Sequence, residues 1–572
     1  MNKMKHKILL LLALCCWAQI GAAQSPKWLS KAKQAVLSIV TYDADGNILH
    51  SGNGFFVSED GVAVSDYTLF RGAERAVAID SEGRQMPVDR IMGADDMYDV
   101  AKFRVDISSR KKNVALPLSS SAPAVGTEIY LLPYSSKKER TYVAGTVKAV
   151  DKVGGNYSYY TLNMPLKASQ VSCPIMNAAG EVFGLAQLSS GADTATVCYA
   201  VDASYAMARS ITALSFNDNA LRSIGIQKAL PDTEEQAEAF VMMVSTQSSP
   251  EAYSAILDDF IRLYPDNTEG YLRRAANRLE LAPTQQDMQQ VEEDLDKALE
   301  LSEQKDEAYF NRAKLIYNYM LERPDTLYAG WSYDRALDEI RQAIALRSLP
   351  VYEQLEGDIL FAKQDYPNAL LCYERVNASA LASPATFYSA ARTKQLAGAP
   401  AEEVLALLDS CVVRFHQPYE IDAAPYLLER AQLRVQAGLG RGALLDYDAY
   451  FDTVKGEVND VFYYLRQQAA VVARQYQRAL DDLAKAISLA PDNMTYRAEL
   501  AVLNMRVGRS DEAVRVLKEA LAANPSYAEG YRLLGNAYIQ LKDNAAACDA
   551  FHKAKNLGDQ FVDDLIDKYC QQ

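Results

Sequence analysis

Near the end of the chain, small and large apolar residues return at a fixed interval of 34 positions, and this limits the fold more than any other feature. Tyr531, Leu534, Gly535, Tyr538, Ala547, Phe551 and Ala554 occupy one set of slots. One interval earlier the same slots hold Arg497, Leu500, Ala501, Asn504, Ala513, Leu517 and Ala520. Pro525 and Pro491 keep the interval, and a further step back gives Ala479, Leu483 and Ala486. Looser copies stand at Ala443/Tyr447/Tyr450, at Ala369/Tyr373 with Gly357, and at Ala336/Ile340/Ala343. Within each unit the apolar residues fall at helical spacing. A unit of this length cannot bury its apolar face alone, so consecutive copies must stack on one another.

This pattern resembles the tetratricopeptide repeat (TPR), in which small residues let two helices approach closely and a proline ends the unit. The resemblance runs from about Asp232 to the C-terminus and implies roughly nine repeats over 232–558, forming an all-α solenoid with a groove for protein or peptide partners. The stretch 559–572 keeps the helical pattern without the repeat slots and is expected to be a capping helix. Arg532 and Asn536 stand four apart on the first helix of the last repeat. They resemble part of the carboxylate clamp with which some such repeats hold acidic peptide termini, so they are candidate groove contacts beside the plainer reading of a solvated face. The tyrosines are read first as packing between helices.

Before about Leu230 the character is different. Val36 to Tyr42 reads as a strand, Asp45-Gly46-Asn47 as a turn, Ile48 to Ser58 as a second strand, and Asp60-Gly61 as a turn into Val62 to Val64. Gly154-Gly155-Asn156 and Asn177 to Gly180 are further turns. Short strands with glycine punctuation predict a β-barrel domain, not βαβ units. The boundaries expected are a barrel domain over 24–215 and a linker over 216–231.

Gly52-Asn53-Gly54-Phe55-Phe56-Val57-Ser58-Glu59-Asp60-Gly61 resembles the strand pair that opens trypsin-like serine proteases of the HtrA type, and the likeness extends over about Leu29 to Leu214. It implies a double β-barrel. In the family the chain continues through a histidine, an aspartate and a Gly-Asn-Ser-Gly-Gly-Pro turn. Here Val64-Ser65-Asp66-Tyr67-Thr68-Leu69 places Thr68 in the histidine slot. Asp99-Val100-Ala101 keeps the aspartate. Ser169-Gln170-Val171-Ser172-Cys173-Pro174 places Val171 in the serine slot. Only Asp99 matches, and as a buried, hydrogen-bonded carboxylate it has an ordinary structural reading too. Thr68 and Val171 are expected to pack in the core.

The chemistry points the same way. A serine nucleophile at neutral pH needs a neighbouring base. Of four histidines, His6 lies in the leader, His416 and His552 fall in the helical repeats, and His50 lies upstream of Gly52, on the wrong strand. The tight glycine turn that supplies oxyanion donors is replaced by Ser169, Ser172 and Cys173. The expectation is a non-catalytic scaffold or adaptor. Two alternatives stand beside it: a peptidase with an atypical site built from Ser172, Cys173 or His50, and an envelope chaperone or assembly factor. Lys102 and Lys167 could partner a serine in a dyad, but on strands they are expected to be solvated.

At the N-terminus, Lys3, Lys5 and Lys7 precede an apolar run from Ile8 to Ala18, and Gly21-Ala22-Ala23 precedes Gln24. This is the layout of a secretory signal peptide over 1–23, cleaved after Ala23, and it predicts export to the periplasm or exterior of a Gram-negative cell. The apolar run is too short to span a bilayer, so no membrane span is expected. Leu14 before Cys15 argues against a lipid anchor. The formal net charge of −15 becomes three units more negative without the leader lysines, which disfavours nucleic acid. Cys173, Cys198, Cys372, Cys411, Cys548 and Cys570 show no metal-ligand spacing, so neither metal nor cofactor is expected. Two pairings are open. Helix packing in the last repeat would bring Cys548 to Cys570, and the protease likeness would place Cys173 and Cys198 on neighbouring strands. The alternative is four buried free thiols.

Overall fold

The computed structural model describes residues 26–570 apart from 109–111, 136–140, 154, 189–195, 282–283, 324–327 and 329, so the expected signal peptide lies outside the described residues. The chain forms two compact units, meeting in sequence between Leu301 and Ser302.

The first unit opens with two closed six-stranded barrels. The first contains β1 (Val36–Tyr42), β2 (Ile48–Phe56), β3 (Val62–Ser65), β4 (Arg75–Ile79), β5 (Gln85–Asp95) and β6 (Val100–Val105), in the order β1-β2-β3-β6-β5-β4. The second contains β7 (Glu128–Leu131), β8 (Val143–Val153), β9 (Tyr157–Asn163), β10 (Pro174–Met176), β11 (Val182–Gln187) and β12 (Val197–Asp202), in the order β10-β11-β12-β9-β8-β7. The alternation expected of half-buried strands is plain in β9, where Ser158, Tyr160 and Leu162 are buried and their neighbours are not. Phe55, Phe56, Phe70 and Phe103 fill the first barrel. Tyr160, Leu162 and Phe183 fill the second. At the β2–β3 turn Gly61 has φ 97°, and a Cβ there would lie 2.5 Å from the Val105 carbonyl oxygen, so only glycine fits.

Residues 216–231, expected as a linker, are packed onto the first barrel. The Gly72 N–H donates to the Ser223 carbonyl at 2.7 Å, Ile91 to Gln227 at 2.8 Å, and Ala229 back to Ile91 at 2.7 Å. Ile224 and Ile226 are buried with the barrel core. Within this stretch are the short helix Asn219–Arg222 and a single parallel bridge between Lys228 and Ile91. Four helices complete the unit: Glu234–Val244, Pro250–Leu263, Thr268–Glu280 and Gln285–Leu301.

The second unit is helical. Seven helix pairs run from Lys305–Glu322 and Tyr333–Leu346 to Ala528–Gln540 and Asn544–Asn556 among the described residues, followed by the short helix Asp563–Tyr569. The repeat slots are its core. Ala479, Leu483, Ala486, Ala513, Leu517, Ala520, Ala547, Phe551 and Ala554 are all fully buried. A Cβ on Gly535 would meet the Phe551 ring at 2.3 Å, and one on Gly357 would meet Tyr373 at 2.8 Å, which is why these slots are small. Tyr352, Tyr373 and Tyr447 are buried between helices.

An arginine–aspartate pair recurs beneath this packing. Arg430 holds buried Asp446 through Nε and Nη2 at 3.1 and 2.6 Å, and Arg466 holds buried Asp482 in the same way at 3.1 and 2.7 Å. Each arginine turns its remaining nitrogen to an acid on the preceding helix pair, Asp409 or Asp448. The first unit repeats the device with Arg274, Asp294 and Asp258. The planar guanidinium fork suits this bidentate geometry where an ammonium would not.

Cys548 and Cys570 are joined by a disulfide, tying the last repeat to the end of the helix Asp563–Tyr569. Val562 and Ile566 cover Ala547, Phe551 and Ala554. The bond between Cys173 and Cys198 is not formed, and both are buried free thiols. Cys173 leads into β10 and Cys198 lies on β12, and β11 stands between these strands. Two interstrand spacings, about 9.5 Å, exceed what a disulfide can bridge.

Candidate functional site

The site to test is the ground between the two barrels, where the triad slots fall. Asp99 follows β5 and precedes β6, with φ 51°, a left-handed backbone that aspartate tolerates. Its Oδ1 accepts the backbone N–H of Thr68 at 2.7 Å. Thr68 itself is exposed on a turn after β3, not packed in the core as expected, because Tyr67 and Leu69 on either side take the buried positions. Val171 is half-buried against the second barrel's core. The structure thus brings the Thr68 and Asp99 slots into contact through the backbone.

Ser172 departs most from a nucleophile's surroundings. It is 1 % exposed, and its hydroxyl donates to Asp66 Oδ1 at 2.7 Å. The Ser65 hydroxyl lies 3.0 Å from the same oxygen and also bonds the Asn53 carbonyl. The Asn53 amide donates to the Ser169 and Val171 carbonyls at 3.0 and 2.9 Å. Asn53, Ser65, Asp66 and Ser172 therefore form a buried polar network between a strand pair of the first barrel and the turn of the second. Burial pushes the Asp66 carboxyl above its ordinary range. The Ser172 hydrogen bond opposes this, and the nearby Asp99 charge adds to it. Asp66 and Asn53 carried no chemical reading in the sequence. The signal available was their position, one beside the histidine slot and one in the opening glycine strand.

The turn that would offer oxyanion donors is closed on itself. Residues Ala168–Gln170 form a 3-10 turn, the Val171 N–H is directed to the Ala168 carbonyl at 3.4 Å, and the Ser172 N–H donates to Ala186 at 2.8 Å. Ser169 is exposed. Cys173 is fully buried, and burial pushes its thiol up to about 12, far from a reactive thiolate. His50 is exposed on β2, its backbone paired with Thr41. Lys167 is exposed, whereas Lys102 is not the solvated residue expected. Its Nζ donates to the carbonyls of Met207 at 2.9 Å and Arg209 at 3.1 Å, closing the C-terminal end of the helix Ala203–Met207.

In the helical repeats, Arg532 is engaged by acids. Its Nε meets Asp559 at 2.9 Å and its Nη2 meets Glu529 at 3.1 Å, which leaves it unsuited to the free clamp residue its sequence position suggested. Asn536 is half-buried on the same helix.

Comparison with known proteins agrees with this architecture. Residues 52–185 match the family model of the trypsin-like peptidase domain. A stretch of 66 residues is 39% identical to the TPR repeat-containing thioredoxin TTL4 of Arabidopsis thaliana, covering 12% of this chain and 10% of that protein. Over 85 residues the chain is 28% identical to the heat-shock protein cognate co-chaperone sgt12 of Aspergillus fumigatus, covering 15% of this chain and 25% of that protein. Over 84 residues it is 29% identical to DnaJ homolog subfamily C member 7 of Mus musculus, covering 15% and 17%. The chain therefore spans between 10% and 25% of the lengths of these relatives. No helix of the described residues is long and apolar enough to cross a membrane. The chain carries a trypsin-like peptidase domain followed by a TPR-like helical array.

Proposed function

We infer that this chain is an exported, non-catalytic scaffold or adaptor, holding protein or peptide partners through its barrel domain and its helical repeats. One observation carries the reading. The serine nearest the nucleophile slot is buried and donates to an acid, while the base slot, Thr68, has only its backbone in contact with Asp99. A hydroxyl bonded to a carboxylate and shut away from solvent has no imidazole to take its proton and no path to a substrate carbonyl. The reading is tested by incubating the mature chain with casein and with a fluorophosphonate probe. No cleavage and no labelling are expected, and cleavage lost in Ser172→Ala would refute it. Export is tested by N-terminal sequencing of the protein from envelope fractions, with Gln24 expected as the first residue.

A second reading, an envelope chaperone or assembly factor, is favoured by the similarity to a co-chaperone and to a DnaJ homologue. Affinity capture separates the two. One dominant partner supports an adaptor, and many unfolded clients support a chaperone.

A further inference from the structure

We propose that the cleft between residues 211–230 and the helices Glu234–Val244 and Pro250–Leu263 binds a long-chain carboxylate, with its tail on the apolar floor and its head between Arg222 and Lys228. This site lies apart from the triad slots and does not rest on the adaptor reading.

The cleft has a volume of about 730 Å³, within the roughly 300–1,000 Å³ of ordinary small-molecule sites. Phe216, Leu230, Phe240, Val244 and Ile256 supply its apolar wall. Its charged lining is Arg222, Lys228 and Asp259. Asp259 is already compensated, by Arg90 at 3.0 Å, Arg262 at 2.7 Å and the Gln227 amide at 2.6 Å. The two cations make no ion pair among the described residues. Arg222 is exposed at the rim with no ion-pair partner among the described residues. Lys228 is half-buried, and its Nζ donates to the Ile224 carbonyl. Glu74 acts on it electrostatically, but no carboxylate lies within ion-pair distance among the described residues.

The position of Lys228 is built in. The backbone bonds of Gln227 and Ala229 to Ile91 fix the residue between them along the edge of β5. Burial lowers the Lys228 amine to about 8, and the Glu74 charge opposes that shift. An apolar wall beside two cations that make no ion pair among the described residues is complementary to a ligand with a hydrocarbon body and one negative end. A neutral amphiphile would fill the same wall and leave both cations without an ion pair.

The test is calorimetric titration of the mature full-length chain with dodecanoate at pH 7. Saturable one-site binding is expected, at least tenfold weaker in Lys228→Gln and in Arg222→Gln, and lost in Ala255→Trp, which fills the cleft. 1-Dodecanol should bind at least tenfold more weakly than dodecanoate. Arg222 and Ala255 are exposed, so those variants keep the test valid if Lys228→Gln fails to fold, with circular dichroism as the check. Absence of saturable binding, equal affinity in Arg222→Gln and Ala255→Trp, equal affinity for the alcohol, or binding only of an apolar peptide C-terminus would each overturn the proposal.

Discussion

Ser172 has φ 60° at the position where the likeness to the trypsin-like turn places a glycine, a left-handed backbone that glycine adopts more readily. A non-glycine residue there costs about 1–2 kcal/mol, and the hydroxyl's bond to Asp66 offsets part of that. Ser172→Ala is expected to destabilise the barrel unit by about 1–3 kcal/mol, because it takes a donor from a buried carboxylate; urea unfolding measures it. Asp66→Asn should act in the opposite sense and with a pH signature. The folded state raises the Asp66 pKa, so its ionisation costs stability fully above the folded pKa, and the cost fades as pH falls through that value. The stability of Asp66→Asn minus that of the wild type should therefore grow as pH rises from the ordinary aspartate range, near 4, to pH 8. Thr68→His with Val171→Ser should restore no peptidase activity, since the turn still directs the Val171 N–H to its own chain. The occupants of the two slots, Thr68 and Val171, were legible as an expectation from residue identity alone. The burial of Ser172 was not, since its partner lies 106 positions away.

At the level of helices and strands, the repeat slots were legible because helical spacing and residue size are local properties, and nearest-neighbour stacking repeats the same contact. The arginine–aspartate pairs were not read, although Arg430/Asp446 and Arg466/Asp482 share a spacing of 16. Charged residues in a helix are ordinarily solvated, and only the stacked structure shows these aspartates at 2% and 4% exposure. Asp446→Ala is expected to cost about 3–5 kcal/mol by leaving Arg430 and Arg434 facing a buried gap. Asp409→Ala, at the half-exposed end of the same network, should cost under about 1 kcal/mol. Comparable losses from the two would contradict this assignment; urea titration of each variant decides it. Arg532 shows the same effect in reverse. Its spacing with Asn536 looked like a groove contact, but Asp559, from the segment after the repeat, occupies it.

For the whole molecule, the division at Leu301/Ser302 leads to a direct expectation. A fragment spanning 302–572 should fold alone and be mostly helical by circular dichroism, since its helix pairs bury their apolar faces on one another. Its Cys548–Cys570 bond should appear in non-reducing peptide maps, while Cys173 and Cys198 of the full chain alkylate as free thiols once unfolded. Closing that loop of 22 residues is worth on the order of 3 kcal/mol in the chain-entropy model, which reduction should remove. By itself the sequence determined the two architectures, because periodicity and turn glycines are properties of short stretches of chain. Only the tertiary structure decided that Ser172 faces Asp66, that Cys173 and Cys198 stand a strand apart, that residues 216–231 pack on a barrel, and that Arg222 and Lys228 flank an apolar cleft. Each of these joins groups distant in sequence or sets which way a side chain faces, and burial and hydrogen bonding act on distances in space.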